Sequence, residues 1–219
     1  WPKEYGGQGR GYIDQFIFFD ESMRAGAPVP MLTINSVAPT IMRYGSEEQK
    51  QFYVDKILKG EIHFAIGYTE PDAGTDLASL KTTAVRDGDE YVINGHKWFA
   101  SNASKADFIL MMAVTNPENP PHKAASFFII PKGTPGLDIA RDVFNMGHPY
   151  PGHFRSGGHA EIFLHDCRVP VANRVGAEGD GFVLALRLGV VLPHQALQLR
   201  ELADDFGEQI GLADRKSVV

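Results

Sequence analysis

The sequence predicts an α+β protein with a partial α-helical N-terminal domain, an antiparallel β-barrel or sandwich as the middle domain, and a short C-terminal helical segment. Three observations carry that expectation. Apolar residues recur at helical spacing up to about Gly60. From Ile62 to about Val171 the pattern changes to short apolar runs separated by turn dipeptides. After Gly179-Asp180-Gly181 it turns helical again.

In the first region, Gly45-Ser46-Glu47-Glu48-Gln49 reads as one helix ending at a glycine and the next beginning with Ser46 as its N-cap, Gln49 closing a capping box. Phe52, Tyr53, Ile57 and Leu58 follow at helical spacing, and Gly60 is a natural stop. In the middle region, the runs Asp107 to Met112 and Ser126 to Ile130 read as strands. Asp87-Gly88, Asn94-Gly95 and the proline-rich stretch Asn116 to Pro121 read as turns. Phe182 to Leu186 opens the last helical segment, which Pro193 kinks or splits. The expected boundaries are 1–61 for the partial helical domain, 62–176 for the β-domain and 177–213 for the start of a C-terminal helical domain. The abrupt opening Trp1-Pro2-Lys3-Glu4-Tyr5 reads like the middle of a domain. Asp214 to Val219 resembles a translated sequencing adapter, so 214–219 is expected to be a non-native tail on a chain cut at both ends.

Composition narrows the function classes. With 43% hydrophobic and 22% charged residues, the 219-residue chain belongs with folded globular proteins. Its 21 basic and 27 acidic residues form no long run, and a net charge of -6 argues against nucleic acid or an anionic membrane as partner. No apolar run approaches the roughly 20 residues that span a bilayer. A lone cysteine, Cys167, excludes an internal disulfide and fits a reducing cytoplasm. His148, His153 and His159 are irregularly spaced without partnering cysteines, so they read as loop and surface histidines and no metal is expected.

The most specific segment is Gly67-Tyr68-Thr69-Glu70-Pro71-Asp72-Ala73-Gly74-Thr75-Asp76-Leu77-Ala78-Ser79. A strand end leading into a loop with hydroxyls, glycine and many backbone amides suits phosphate oxygens. By itself such a loop is more often a capped surface turn. Its order Thr-Glu-Pro then Gly-Thr-Asp resembles the signature of the acyl-CoA dehydrogenase family. So do Trp1 to Gly9, Tyr44 to Lys50, Ile93 to Phe99 and Asp166 to Pro170, collinear over roughly residues 1 to 185. The resemblance implies FAD bound between a β-domain and a C-terminal helical bundle. It assigns cofactor contacts to Ile66, Tyr68, Thr69 and Thr75, with Thr69 near the reactive end of the isoalloxazine and Thr75 toward the pyrophosphate and the substrate. Phe99 and Ser101 form the second contact segment, Phe99 standing where tryptophan is commoner, which keeps stacking and removes an indole donor. Glu70, just before Pro71, is expected to fix loop geometry rather than act as a base.

The same resemblance implies a parent that dehydrogenates an acyl-CoA thioester at its α and β carbons by α-proton abstraction and hydride transfer to flavin N5. It also implies electron-transfer flavoprotein or another electron acceptor as partner, and a homo-oligomer. The family's catalytic glutamate usually lies far downstream. Residues 187–198 hold no carboxylate, and Glu201, Asp204 and Asp205 suit a solvated helix face, so no catalytic residue is assigned. Beyond about Leu186 the sequence departs from the family pattern. The alternatives are a non-catalytic nucleotide-binding or packing module, and an acyl-CoA oxidase or flavin monooxygenase on the same scaffold. An exposed apolar face is expected where the β-domain would meet the bundle.

Overall fold

The computed structural model describes residues 1–146 and 158–186. Its N-terminal region is helical. Helix α1 spans Tyr12–Arg24, α2 runs through wide π-helical turns at Leu32–Val37 into Ala38–Tyr44, and α3 runs from Glu47–Gln49 through π-helical Lys50–Val54 to Asp55–Leu58. The capping box forms as read: the Gln49 amide donates to Ser46 Oγ at 3.2 Å and the Ser46 amide to Gln49 Oε1 at 3.1 Å. Gln49 Nε2 also donates to the carbonyls of Ala172 and Arg174, at 2.8 and 3.0 Å, so this one side chain caps a helix and ties it to the β-region. Gly60 closes α3 at φ 71°, a left-handed conformation that suits glycine.

Eight strands follow among the described residues: β1 Phe64–Gly67, β2 Thr83–Asp87, β3 Glu90–Ser101, β4 Phe108–Val114, β5 Ala125–Pro131, β6 Leu137–Val143, β7 His159–Pro170 and β8 Arg174–Val175. They form one sheet in the order β6-β7-β3-β2-β4-β5-β8, with β1 pairing β4. Most pairs are antiparallel; β1 and β2 meet β4 in parallel. Among the described residues the path has two ends, so these strands do not close into a barrel. Asp87-Gly88 is the β2–β3 hairpin turn. Asn94-Gly95, expected to be a turn, instead lies inside β3 at a shift of register against β7. Gly95 is needed there because a Cβ would collide with the Thr82 side chain, so a close strand approach, not a reversal, accounts for it.

The core has two compartments sharing one wall. Strands β4 and β5 are buried almost throughout, on both faces. One face contributes Ile109, Met111, Phe128 and Ile130 to the interior of the β-region, with Tyr91, Ile93, Ile162 and Val169. The other sets Leu110, Met112, Phe127 and Ile129, beside Phe64 of β1, against Val37, Ile41, Val54 and Ile57 of α2 and α3. Burial on both faces explains why these strands are continuous apolar runs rather than alternating ones. Exposed apolar side chains gather on α1, at Ile13, Phe16, Ile17, Phe18 and Met23, while Phe99 is exposed on the sheet and Phe144 just past the end of β6. Cys167 is buried, and desolvation pushes its thiol up to about 11, which makes it unreactive. No helix among the described residues is long and apolar enough to cross a membrane.

Phe128 has no solvent exposure and its ring sits 4.8 Å from that of Tyr91. Phe128→Ala is expected to destabilise the fold by about 3–5 kcal/mol, read as a lower urea midpoint. Phe16→Ala, on the exposed face of α1, is expected to change stability by less than about 0.5 kcal/mol.

Candidate functional site

The Gly67 to Ser79 segment leaves the end of β1, which lies so close to β4 that a Cβ on Gly67 would press on Met111 Sδ at 2.8 Å. Ile66 and Tyr68 pack against the helix-facing core, the Tyr68 ring stacking on Phe127 at 5.1 Å. Burial lifts the Tyr68 phenol well above its ordinary pKa. Beyond Tyr68 the chain makes a tight turn, in which the Glu70 amide donates to the Ala73 carbonyl at 2.9 Å and the Ala73 amide to the Glu70 carbonyl at 3.1 Å.

The Glu70 side chain turns inward from that loop. Its Oε2 accepts from the Lys81 amide at 2.6 Å, and its Oε1 accepts from the Thr82 amide at 2.9 Å and from Lys97 Nζ at 2.8 Å. Lys97 Nζ also donates to the Tyr68 carbonyl at 2.9 Å. Both side chains are buried, at 0% exposure for Lys97 and 5% for Glu70. Burial pushes the Glu70 carboxyl up, but the Lys97 charge and the donated hydrogen bonds outweigh it and hold the group below its ordinary value. Burial draws the Lys97 ammonium down to about 8, against the opposing pull of Glu70. With its lone pairs engaged this way, Glu70 holds the loop and is not available as a base. Lys97 carries no signal of its own in the sequence beyond being a lysine at an inward-facing strand position.

One residue along β3, the Trp98 amide donates to the Thr69 carbonyl at 3.2 Å, which brings the loop and the second segment together. Here β3 slips register against β7 between Lys97 and Ala100, and Phe99 adopts φ 55°. That bulge turns the Phe99 side chain out of the strand's alternation. Its ring is 43% exposed and lies 5.1 Å from that of Trp98. Register then resumes with Ala100 opposite Ala160 and Ser101 opposite His159, where Ser101 Oγ and His159 Nδ1 are 2.8 Å apart. His159, expected to be a surface histidine, thus touches a candidate contact residue. Thr69 is half-buried at the junction, and Thr75 is exposed beside Gly74, around which a side chain would meet open space.

These residues fit a flavin. An exposed aromatic face at Phe99 can cover a planar ring, the hydroxyls of Thr69 and Ser101 lie on the two segments the backbone joins, and the exposed turn with Thr75 offers amides and a hydroxyl for phosphate. A separate cleft of about 600 Å³ opens between Tyr44–Gln49 and Val171–Ala177 and includes none of these contacts. Among the described residues no cluster of His, Cys, Asp and Glu could hold a metal ion. His148, His153, Pro193, Glu201, Asp204, Asp205 and the 214–219 tail lie outside the described residues.

Removing one partner of the buried pair strands the other. Lys97→Met is expected to destabilise the fold by about 3–5 kcal/mol, and Glu70→Gln/Lys97→Met together by less, in urea titrations. The pair also has a pH signature. Because the Glu70 carboxyl is held below 4.5 in the fold, its contribution is complete above that pH and is lost as pH falls through the folded value, where the unfolded chain has already taken up the proton. The double variant is expected to show a shallower acid-side loss of stability than the wild type.

A family model described as acyl-CoA dehydrogenase, middle domain, matches residues 65–168, and one described as acyl-CoA dehydrogenase, N-terminal domain, matches residues 1–61. Acyl-CoA dehydrogenase FadE26 of Mycobacterium tuberculosis is 48% identical over 211 residues, which cover 94% of this chain and 50% of that protein. The structure of the ChsE4-ChsE5 complex from Mycobacterium tuberculosis superposes with a TM-score of 0.78 at 50% identity, over 85% of this chain and 46% of that one. The Tcur3481-Tcur3483 steroid ACAD superposes with a TM-score of 0.78 at 43% identity, over 99% and 56%. The chain spans about half the length of the curated relatives it matches. On these matches and this fold, the chain belongs to the acyl-CoA dehydrogenase family of FAD-dependent oxidoreductases.

Proposed function

We propose that this chain supplies the flavin-facing surface of an enzyme that dehydrogenates an acyl-CoA thioester at its α and β carbons. The observation that carries the reading is the joining of two candidate contact segments, Thr69 to Thr75 and Phe99 to Ser101, by the Trp98 to Thr69 backbone bond and the Lys97–Glu70 pair. When bound, FAD supplies the hydride acceptor. The chain's own residues orient it: Phe99 covers one ring face, Thr69 and Ser101 offer hydroxyls to the ring edge, and the turn ending at Thr75 holds phosphate oxygens and borders the thioester. Ile66 and Tyr68 back this surface from the core side. Within the loop, Glu70 is committed to Lys97 and two amides, so we assign the α-proton to no residue of this chain. We place the helical domain at 1–61, the β-domain at 62–176 and the start of a second helical domain at 177; its expected extent to 213 lies outside the described residues past 186.

One similar structure is the ChsE4-ChsE5 complex and another carries the paired name Tcur3481-Tcur3483, which supports a parent assembled from unlike as well as like subunits. Electron-transfer flavoprotein or another acceptor would take up the reducing equivalents. A lone, buried cysteine supports a reducing compartment such as the cytoplasm.

In the protein that carries this chain, saturable quenching of FAD fluorescence is expected, and Phe99→Ala should weaken binding roughly tenfold, the worth of one stacked aromatic. Anaerobic addition of an acyl-CoA of suitable chain length should bleach the visible flavin absorption. A bound flavin that keeps its colour with every acyl-CoA tried would instead favour the non-catalytic nucleotide-binding module.

A further inference from the structure

The bulge at Trp98-Phe99 has a second effect at its far end. By absorbing the extra residue before Ala100, it returns β3 to register so that Ser101 stands directly across from His159, the last pair of the β3–β7 ladder. The adjacent Asn102 amide donates to the Gly158 carbonyl at 2.8 Å, fixing this end of the two strands. The serine and imidazole then meet at 2.8 Å, and the His159 ring also lies edge-on to Phe99 with centroids 6.4 Å apart. One imidazole therefore touches both the residue proposed to cover the flavin and the residue proposed to hydrogen-bond it.

A serine hydroxyl carries one proton. If His159 Nδ1 accepts that proton, Ser101 turns lone pairs toward its other neighbour; if Nδ1 bears the proton and donates, Ser101 turns its own proton outward. The two arrangements favour opposite partners on a ligand, an N–H in the first case and an unprotonated nitrogen or carbonyl oxygen in the second. We propose that His159 is a positioning residue that sets the direction of the hydrogen bond Ser101 offers the flavin, and thereby the balance between its oxidised and reduced forms. The inference rests on the flavin reading given above. It names a residue that neither composition nor spacing marks.

The test uses His159→Leu, which approximates the side chain's bulk without a polar atom, and His159→Asn, whose amide can stand in for Nδ1. In the FAD-loaded protein that carries this chain, His159→Leu is expected to weaken FAD binding about fivefold, the worth of one hydrogen bond, and to shift the flavin midpoint potential and its visible band. His159→Asn should bring affinity and band position back toward wild type, which a purely packing role would not predict. Ser101→Ala should weaken binding at least as much as His159→Leu, since it removes the hydroxyl itself as well as its contact with His159, and the double variant should be no worse than Ser101→Ala alone, because the histidine acts through that hydroxyl. If Ser101→Ala weakens FAD binding while His159→Leu leaves affinity and potential at wild-type values, or if His159→Asn behaves like His159→Leu, the inference is overturned and the flavin reading stands. If neither Ser101→Ala nor Phe99→Ala changes FAD binding, the flavin reading itself falls.

Discussion

The ammonium of Lys97 has no exposure to water, and removing such an ion from solvent costs several kcal/mol before any partner is counted. What offsets that cost is a set of acceptors drawn from one loop, the Glu70 carboxylate and the Tyr68 carbonyl, and Glu70 is itself steadied by the amides of Lys81 and Thr82. Three stretches of chain therefore meet at one buried charge. Thr69 lies between the two acceptors and Phe99 lies two residues past the donor, so the hydroxyl and the ring of the candidate site take their positions from the same bond. A slip of β3 by one residue would carry the ammonium to the opposite face and leave Glu70 unpaired, which gives a bulged strand a defined register.

Features governed by neighbouring residues were readable from the sequence. The Ser46–Gln49 capping box, the Gly60 stop and the Asp87-Gly88 turn each depend on backbone geometry within a few residues, and each forms as expected. Asn94-Gly95 misled because that dipeptide favours a hairpin when strands flank it, whereas here the glycine serves a close passage of β3 past Thr82. The ends of the candidate site were legible through motif order, but the contacts inside it were not. Lys97 meets a carboxylate 27 positions away and His159 meets Ser101 across 58, and local periodicity carries no information about either distance. Histidine on a strand looks the same from sequence whether water or a serine faces it.

The shared wall of β4 and β5 has a consequence for how the molecule opens. The change from helical to β patterning near Ile62 looks in sequence like a seam between separable units, yet Leu110, Met112, Phe127 and Ile129 bury the helices while Ile109, Met111, Phe128 and Ile130 of the same strands bury the sheet. Neither compartment can lose this wall without exposing the other. Helices α2 and α3 and the sheet thus form one cooperative unit, and the backbone amides of β4 and β5 exchange with solvent only when the whole unit opens. Helix α1, whose exposed apolar side chains belong to neither compartment and which meets α2 through the Gln15–Asn35 hydrogen bond, stands outside that unit, and its amides are expected to exchange first.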